Sequence, residues 1–202
     1  MTRFPGRILN SDIQDNMRIL GGEKRGLPLK TRKGGKTRPL SARVKTSLFG
    51  ILAPRLQDAA FYDFFAGNGS VGIEALSRGA VRALFFEKNE TCIRIIRENL
   101  KNCGFLSRAE LVRKDVLKIL STLPPPEKPV ICFLGPPYHT PLAHQTLALM
   151  GKYNNFPSGT LVIAELSKGD RIDQEYRFFR SFREERYGDT RLVFYENGCQ
   201  DL

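Results

Sequence analysis

Between Phe61 and Lys88 the chain runs through four segments in a fixed order. A short apolar run (Phe61-Tyr62-Asp63-Phe64-Phe65) leads into a glycine turn (Ala66-Gly67-Asn68-Gly69-Ser70-Val71-Gly72). A helical segment follows from Ile73 to Gly79, then a second apolar run from Val81 to Glu87. Strand, tight loop, crossover helix and parallel strand make up the repeating unit of a doubly wound α/β sheet. Gly67 and Gly69 carry no Cβ, so the backbone can turn sharply there and come close to a ligand. Gly72 lets the following helix lie tightly on the sheet. Glu87, followed by Lys88, stands at the carboxyl end of the second strand, where such sheets hydrogen-bond a ribose diol. The pattern predicts a nucleoside-containing cofactor. The Gly-x-Gly-x-x-Gly spacing alone equally suits a dinucleotide or a turn with no ligand.

Three features favour S-adenosylmethionine. Asp63 lies near the end of the first strand, beside Phe65 and Asn68 of the turn, where a carboxylate can meet the cofactor's ammonium, often through water. The turn lacks the Lys-Ser/Thr pair of a triphosphate site. Leu134-Gly135-Pro136-Pro137-Tyr138 has no role in hydride transfer but resembles the amine-methylating loop of methyltransferases.

At 202 residues the chain fits one domain with a small appendage. Its net charge of +11 is unevenly spread: Met1 to Leu48 holds twelve Lys or Arg against three acids. A basic end on a nearly balanced body suggests a polyanionic partner such as nucleic acid, and would also suit a merely solvated tail. Four cysteines (Cys92, Cys103, Cys132, Cys199) form no C-x-x-C and do not cluster with His139 and His144. They read as small buried hydrophobes in a reducing compartment. No run approaches the ~20 apolar residues of a membrane span and no signal-peptide core is present, so a cytoplasmic, monomeric protein is expected, with no metal.

Residues 1–16 show no period and read as a flexible extension, with Met17 a candidate start. Residues 17–54 read as a basic docking segment and 55–202 as the catalytic domain. Arg18-Ile19-Leu20 and Leu27 to Lys30 suggest a hairpin, followed by a Lys/Arg/Gly loop from Thr31 to Arg38. Arg18, Lys24, Arg25, Lys33, Lys36 and Arg38 are the candidate RNA contacts. Ser41 can cap a helix to about Leu52, with Val44, Leu48, Ile51 and Leu52 on one face and Arg43 and Lys45 off it, the sheet beginning after Pro54. Asn89 caps a helix that ends at Gly104. Asp115 can hold an adenine amino group, with the Val116 backbone near the ring, or cap the helix that follows, or both. Pro129 to Leu134 and Thr160 to Glu165 are further strands. A hairpin around Gly188-Asp189 supplies an antiparallel edge.

An exocyclic purine amine is a poor nucleophile because its lone pair is delocalised into the ring. It must be held in line, with its N–H bonds aimed at acceptors. The usual loop is Asp or Asn followed by Pro-Pro-Tyr or Pro-Pro-Phe, with the side-chain oxygen and the first proline's carbonyl as acceptors and the aromatic ring stacked on an extruded base. Here Pro136, Pro137 and Tyr138 are present but Gly135 replaces the acid, so only the Pro136 carbonyl remains of the pair. Glu165 or a bound water is a candidate replacement, the site could instead be degenerate, and Gly135→Asp would restore a merely weakened acceptor.

These residues resemble the RsmD family of bacterial 16S rRNA (guanine-N2)-methyltransferases. The likeness rests on Met17-Arg18-Ile19-Leu20-Gly21-Gly22-x-x-Arg25-Gly26, Thr37-Arg38-Pro39 and the run from Asp63 through Gly72 to Glu74-Ala75-Leu76-Ser77-Arg78-Gly79-Ala80. Pro136-Pro137-Tyr138 and Tyr187-Gly188-Asp189-Thr190 complete it. The resemblance implies a Rossmann-like class I methyltransferase with a small basic N-terminal hairpin and helix, acting on 16S rRNA or the small ribosomal subunit. It also implies that Asp63, Gly67, Gly69, Glu87 and Asp115 hold S-adenosylmethionine and that Pro136 and Tyr138 hold the base. Ala42, Thr46, Gly50 and Gly135 depart from the family pattern. A noncatalytic RNA-binding or ribosome-assembly protein on the same scaffold, or methylation of a different base, stays open on these grounds.

Overall fold

The computed structural model describes residues 13–32 and 40–198. Lys33, Lys36, Arg38, Cys199 and most of the 1–16 segment lie outside the described residues. Among those described, an eight-stranded sheet has the order β5-β4-β3-β6-β7-β10-β9-β8. Its parallel half comprises β3 (Ala60–Phe64), β4 (Arg82–Phe86), β5 (Ala109–Val112), β6 (Ile131–Leu134) and β7 (Leu161–Ser167). The antiparallel strands β10 (Thr190–Asn197), β9 (Phe179–Tyr187) and β8 (Glu175–Tyr176) extend it on the β7 side. Helices α2 (Ser70–Ser77) and α3 (Glu90–Cys103) cross between β3, β4 and β5, while α4 (Val116–Ile119) and α5 (Leu142–Tyr153) follow on the route to β6 and β7. The chain thus leaves β3 in one direction and returns on its other flank at β6. In open α/β sheets that switch point opens a crevice at the carboxyl ends of the strands.

Strand alternation sorts the core into two layers. On one face Phe61, Phe85, Phe133, Ile163 and Phe194 pack with α1 (Ala42–Leu56), α2 and α3. On the other, Tyr62, Phe64, Phe86, Cys132, Val162 and Tyr195 pack with α4 and α5. The Phe64 and Phe86 rings stack at 4.5 Å. Asp63 shares its strand face with Phe61, so it points towards α2. Gly72 behaves as expected: a Cβ there would lie 2.4 Å from the Phe85 ring. Helix α3 is capped as read, with the Asn89 side chain accepting the Cys92 N–H at 3.1 Å and Gly104 left-handed at φ 73°.

Three readings change. The N-terminal strand β1 runs from Ile13 to Arg18 and pairs with β2 (Pro28–Arg32), so the hairpin starts before Met17, inside the segment expected to be irregular. Helix α1 carries on through Pro54 to Leu56, beyond the expected end at about Leu52. Lys45, expected off the packed face, is fully buried.

That burial explains how the hairpin is fastened to the sheet. Glu74 of α2 lies 3.7 Å from Lys45 Nζ, accepts the Arg78 Nε–H at 2.7 Å and accepts the Leu20 N–H at 2.8 Å. Ser77 donates to the Gly21 carbonyl at 2.7 Å, and its own hydroxyl oxygen accepts the Lys24 N–H at 3.0 Å. Gly22 is left-handed at φ 78°, and a Cβ there would meet the Ser77 carbonyl oxygen at 1.8 Å. The Leu20-Gly21-Gly22 run and the Glu74 to Arg78 run are therefore two sides of one contact. On the other flank Asn99 of α3, fully buried, accepts the Lys30 N–H and donates to the Lys30 and Asn68 carbonyls. No helix among the described residues is long and apolar enough to cross a membrane.

Candidate active site

A cavity of about 490 Å³ opens at the switch point, within the size range of small-molecule and cofactor sites. Its wall includes Asp63, Phe65, Gly67, Asn68, Glu87, Lys88, Asp115, Val116, Gly135 and Pro137. These come from the carboxyl ends of β3, β4, β5 and β6, so most of the expected residues meet in one space.

Local geometry accounts for each. Phe65, directly after β3, has φ 65°, a left-handed conformation uncommon for a bulky residue, and it swings the chain into the loop. Gly67 has φ 58° with no atom closer than 4.0 Å to an added Cβ, so the loop leaves the cavity open. Its N–H donates to Glu87 Oε2 at 2.9 Å, and Glu87 Oε1 accepts the Asn89 N–H at 2.8 Å. Both oxygens are thus fixed from the protein side and keep lone pairs for hydroxyl donors. Asp115 caps α4 by accepting the Leu117 N–H at 3.0 Å, and its other oxygen lies 3.7 Å from Lys88 Nζ. The capping role is present, and the same carboxylate lines the cavity.

Asp63 Oδ2 accepts the Gly72 N–H at 2.9 Å, and burial pushes the carboxyl up to about 7 against the pull of that bond, with Glu87 and Glu165 adding to the rise. Its contribution to the site includes holding α2 in place. Gly69 is not in the cavity wall: a Cβ there would meet Ile96 at 3.1 Å, so this glycine serves the packing of the loop on α3. Cys92, expected to be a buried hydrophobe, is half-exposed in the wall beside Arg32. Cys103 and Cys132 are buried as expected.

The Pro-Pro-Tyr loop turns out of β6 next to this space. Pro136 is buried behind the wall, and Tyr138 is half-buried. The Tyr138 hydroxyl donates to Glu165 Oε1 at 2.6 Å and lies 3.1 Å from Thr190 Oγ1. Glu165 itself lines the cavity, with burial pushing its carboxyl up to about 7 and the Tyr138 bond opposing that rise. Gly135 leaves no slack for a larger residue: a Cβ would come within 2.8 Å of Phe133 Cε1 and 3.4 Å of Glu165 Oε2. Placing aspartate there requires the Phe133 ring to shift.

Of the candidate RNA contacts, Arg18 and Arg25 are exposed and Lys24 is half-buried on the hairpin. Thr31, Arg32 and Leu40, which sequence reasoning did not single out, also line the cavity. The end of β2 therefore forms part of its rim. The charge pattern located the hairpin but carried no sign that it abuts the cavity.

A family model described as conserved hypothetical protein 95 matches residues 17–196. A ribosomal RNA small subunit methyltransferase D of Haemophilus influenzae is 33% identical over 165 residues, 80% of this chain and 84% of that one. A solved Escherichia coli structure, described as a candidate methyltransferase (yhhF), superposes with a TM-score of 0.79 at 28% identity, covering 91% of this chain and 99% of that one. A more distant RNA methyltransferase from Salinibacter ruber, solved with S-adenosyl-L-homocysteine, shares the fold with a TM-score of 0.60 at 16% identity, covering 82% and 96%. The chain belongs to the family described as conserved hypothetical protein 95, the RsmD family that its motifs resemble.

Proposed function

We propose that the chain is an S-adenosylmethionine-dependent methyltransferase that modifies the exocyclic N2 of a guanine in small-subunit rRNA. One observation carries this reading: the ribose-type carboxylate Glu87 and the Gly135-Pro136-Pro137-Tyr138 loop adjoin a single cavity at the sheet's switch point. Family membership and the relatives' names support the rRNA substrate.

The cavity residues fit the cofactor. Glu87 would hold the ribose hydroxyls, Asp115 the adenine amino group with Val116 against the ring, and Asp63 the ammonium through water. Phe65, Gly67, Asn68 and Lys88 complete the wall. When bound, the group supplies an activated methyl carried on a sulfonium. The protein positions and excludes water, which is where most of the rate enhancement of such a transfer arises. The Pro136 carbonyl would accept one amine N–H. The Tyr138 hydroxyl is anchored by Glu165 and Thr190, which would hold the ring as a stacking surface for an extruded base. Arg18, Lys24 and Arg25 of the hairpin, with Lys33, Lys36 and Arg38, would bind phosphates around the target. All these residues belong to one chain, so a monomer suffices, and the substrate puts the protein in the cytoplasm.

Calorimetry with S-adenosylmethionine, followed by methyl transfer to small subunits from cells lacking this chain, tests the reading. Saturable binding and N2-methylguanine on mass mapping are expected. No binding heat, or methyl on another base, would overturn it.

A further inference from the structure

We propose that Glu165 is the second acceptor for the target guanine's amine, reaching the space beside the side-chain-free Gly135. The inference rests on the methyltransferase reading above. Its first support is the strand register. β6 and β7 are parallel with Phe133 opposite Ile163 and Leu134 opposite Ala164. Gly135 and Glu165 each lie two residues beyond the first of those pairs, and so on the same face of the sheet as Asp63 and α2. Glu165 Oε2 is 3.4 Å from the point where a Cβ of residue 135 would sit, so the carboxylate lies where a short side chain from that position would reach.

The second support is the orientation of the carboxylate. Oε1 is held by the Tyr138 hydroxyl at 2.6 Å, which ties it to the ring expected to stack on the base. Oε2 is turned to the Gly135 side, and the residue lines the cavity with Asp63 and Pro137. The third support is steric. A Cβ at 135 would lie 2.8 Å from the Phe133 ring but at ordinary contact distance, 3.4 Å, from Glu165 Oε2, so it is glycine that fits beside Phe133 while the Glu165 carboxylate reaches the same space.

In the transfer, the guanine N2 lone pair forms the new N–CH3 bond as the S–CH3 bond breaks and its electron pair goes to sulfur. One N2 proton is then lost to Glu165 and passes on to solvent. A carboxyl that titrates at about 7 accepts that proton and releases it near neutral pH. The titratable groups facing it are Asp63 from β3 and Tyr138 from the loop after β6.

The test compares wild type, Glu165→Gln, Gly135→Asp and the double variant. The readouts are S-adenosylhomocysteine affinity by calorimetry, small-subunit affinity, and kcat for methyl transfer from pH 6 to 9. Loss of a hydrogen bond from a charged acceptor predicts that Glu165→Gln lowers kcat about 10–100-fold, with both affinities within about threefold of wild type. It also predicts that the wild-type rise in rate through neutral pH is flattened. Gly135→Asp should give no gain over wild type and, because glutamine fills the space of glutamate and the Phe133 ring is unchanged, no recovery in the Glu165→Gln background. Wild-type kcat in Glu165→Gln, a gain in Gly135→Asp alone, or a parallel collapse of cofactor affinity would overturn the acceptor role and leave the methyltransferase reading intact. A wild-type protein that binds cofactor but transfers no methyl would overturn both.

Discussion

Replacing Glu74 with glutamine should unfasten the basic hairpin from the catalytic sheet. The Glu74 carboxylate is fully buried, faces Lys45 and Arg78, and accepts the Leu20 N–H. Glutamine keeps the shape and one acceptor oxygen but loses the charge. Arg78 tolerates this loss, because its side chain is 23% exposed and its guanidinium also lies over the Phe49 ring. Lys45 does not: its side chain is 2% exposed, and among the described residues Nζ has no hydrogen-bond partner. Removing one partner of a buried ion pair costs about 3–5 kcal/mol, a large share of the roughly 5–15 kcal/mol that holds a domain folded. Adding Lys45→Met in the Glu74→Gln background removes the stranded charge at similar volume and should return most of that loss. Burial already lowers the Lys45 pKa below its ordinary 10.5, so the unfolded chain holds more protons in the interval between, and stability rises with pH there. Glu74→Gln removes the group that raises the Lys45 pKa and should extend that rise to lower pH. Urea unfolding gives the free energies, and hydrogen exchange at the Leu20 and Lys24 amides reports the hairpin itself. A loss under about 1 kcal/mol, or no recovery on adding Lys45→Met, would refute the argument.

Gly72→Ala should cost about 1–3 kcal/mol by overpacking, since its Cβ would lie 2.4 Å from the buried Phe85 ring; thermal unfolding decides it. Asp63 binds a proton up to about pH 7 when folded but only near its ordinary 3.8 when unfolded, so its contribution to stability falls as pH rises across that window. Asp63→Asn keeps an oxygen for the Gly72 N–H, so it should raise the melting temperature at pH 8 and flatten the pH dependence while weakening cofactor binding. Unchanged stability profiles would count against a buried carboxylate there. Charge removal at Lys33, Lys36 and Arg38 together should reduce the salt slope of small-subunit binding by about 2–3, measured by filter binding from low to high salt. An identical slope would exclude phosphate contacts from those three.

How far the sequence could be read depended on the range of the interactions. Ser41, Asn89 and Gly104 act within one helical turn, and the alternation of Phe61 to Phe64 acts within one strand, so helices, strands and core faces followed from local pattern. The glycine turn and Glu87 were legible for the same reason, being parts of one strand–loop–helix–strand unit. The roles of Lys45 and Asn99 were not, and Glu165 was legible only as a candidate acceptor beside a bound water. Lys45 carries the signature of a solvated residue and is buried only because Glu74 is brought against it. Asn99 looked like one polar residue among many on α3, yet it joins Lys30 to the Asn68 carbonyl.

By itself, the sequence determined an α/β sheet with a nucleoside-type crevice, a basic N-terminal segment and a methyltransferase-like loop lacking its acid. The tertiary structure decided that the hairpin starts at Ile13 and abuts the crevice. It also decided that Glu74 fastens the hairpin and that Gly135 and Glu165 share one space. Periodicity and capping are properties of neighbouring residues, whereas which carboxylate meets which partner depends on strand register and helix docking between segments tens of residues apart.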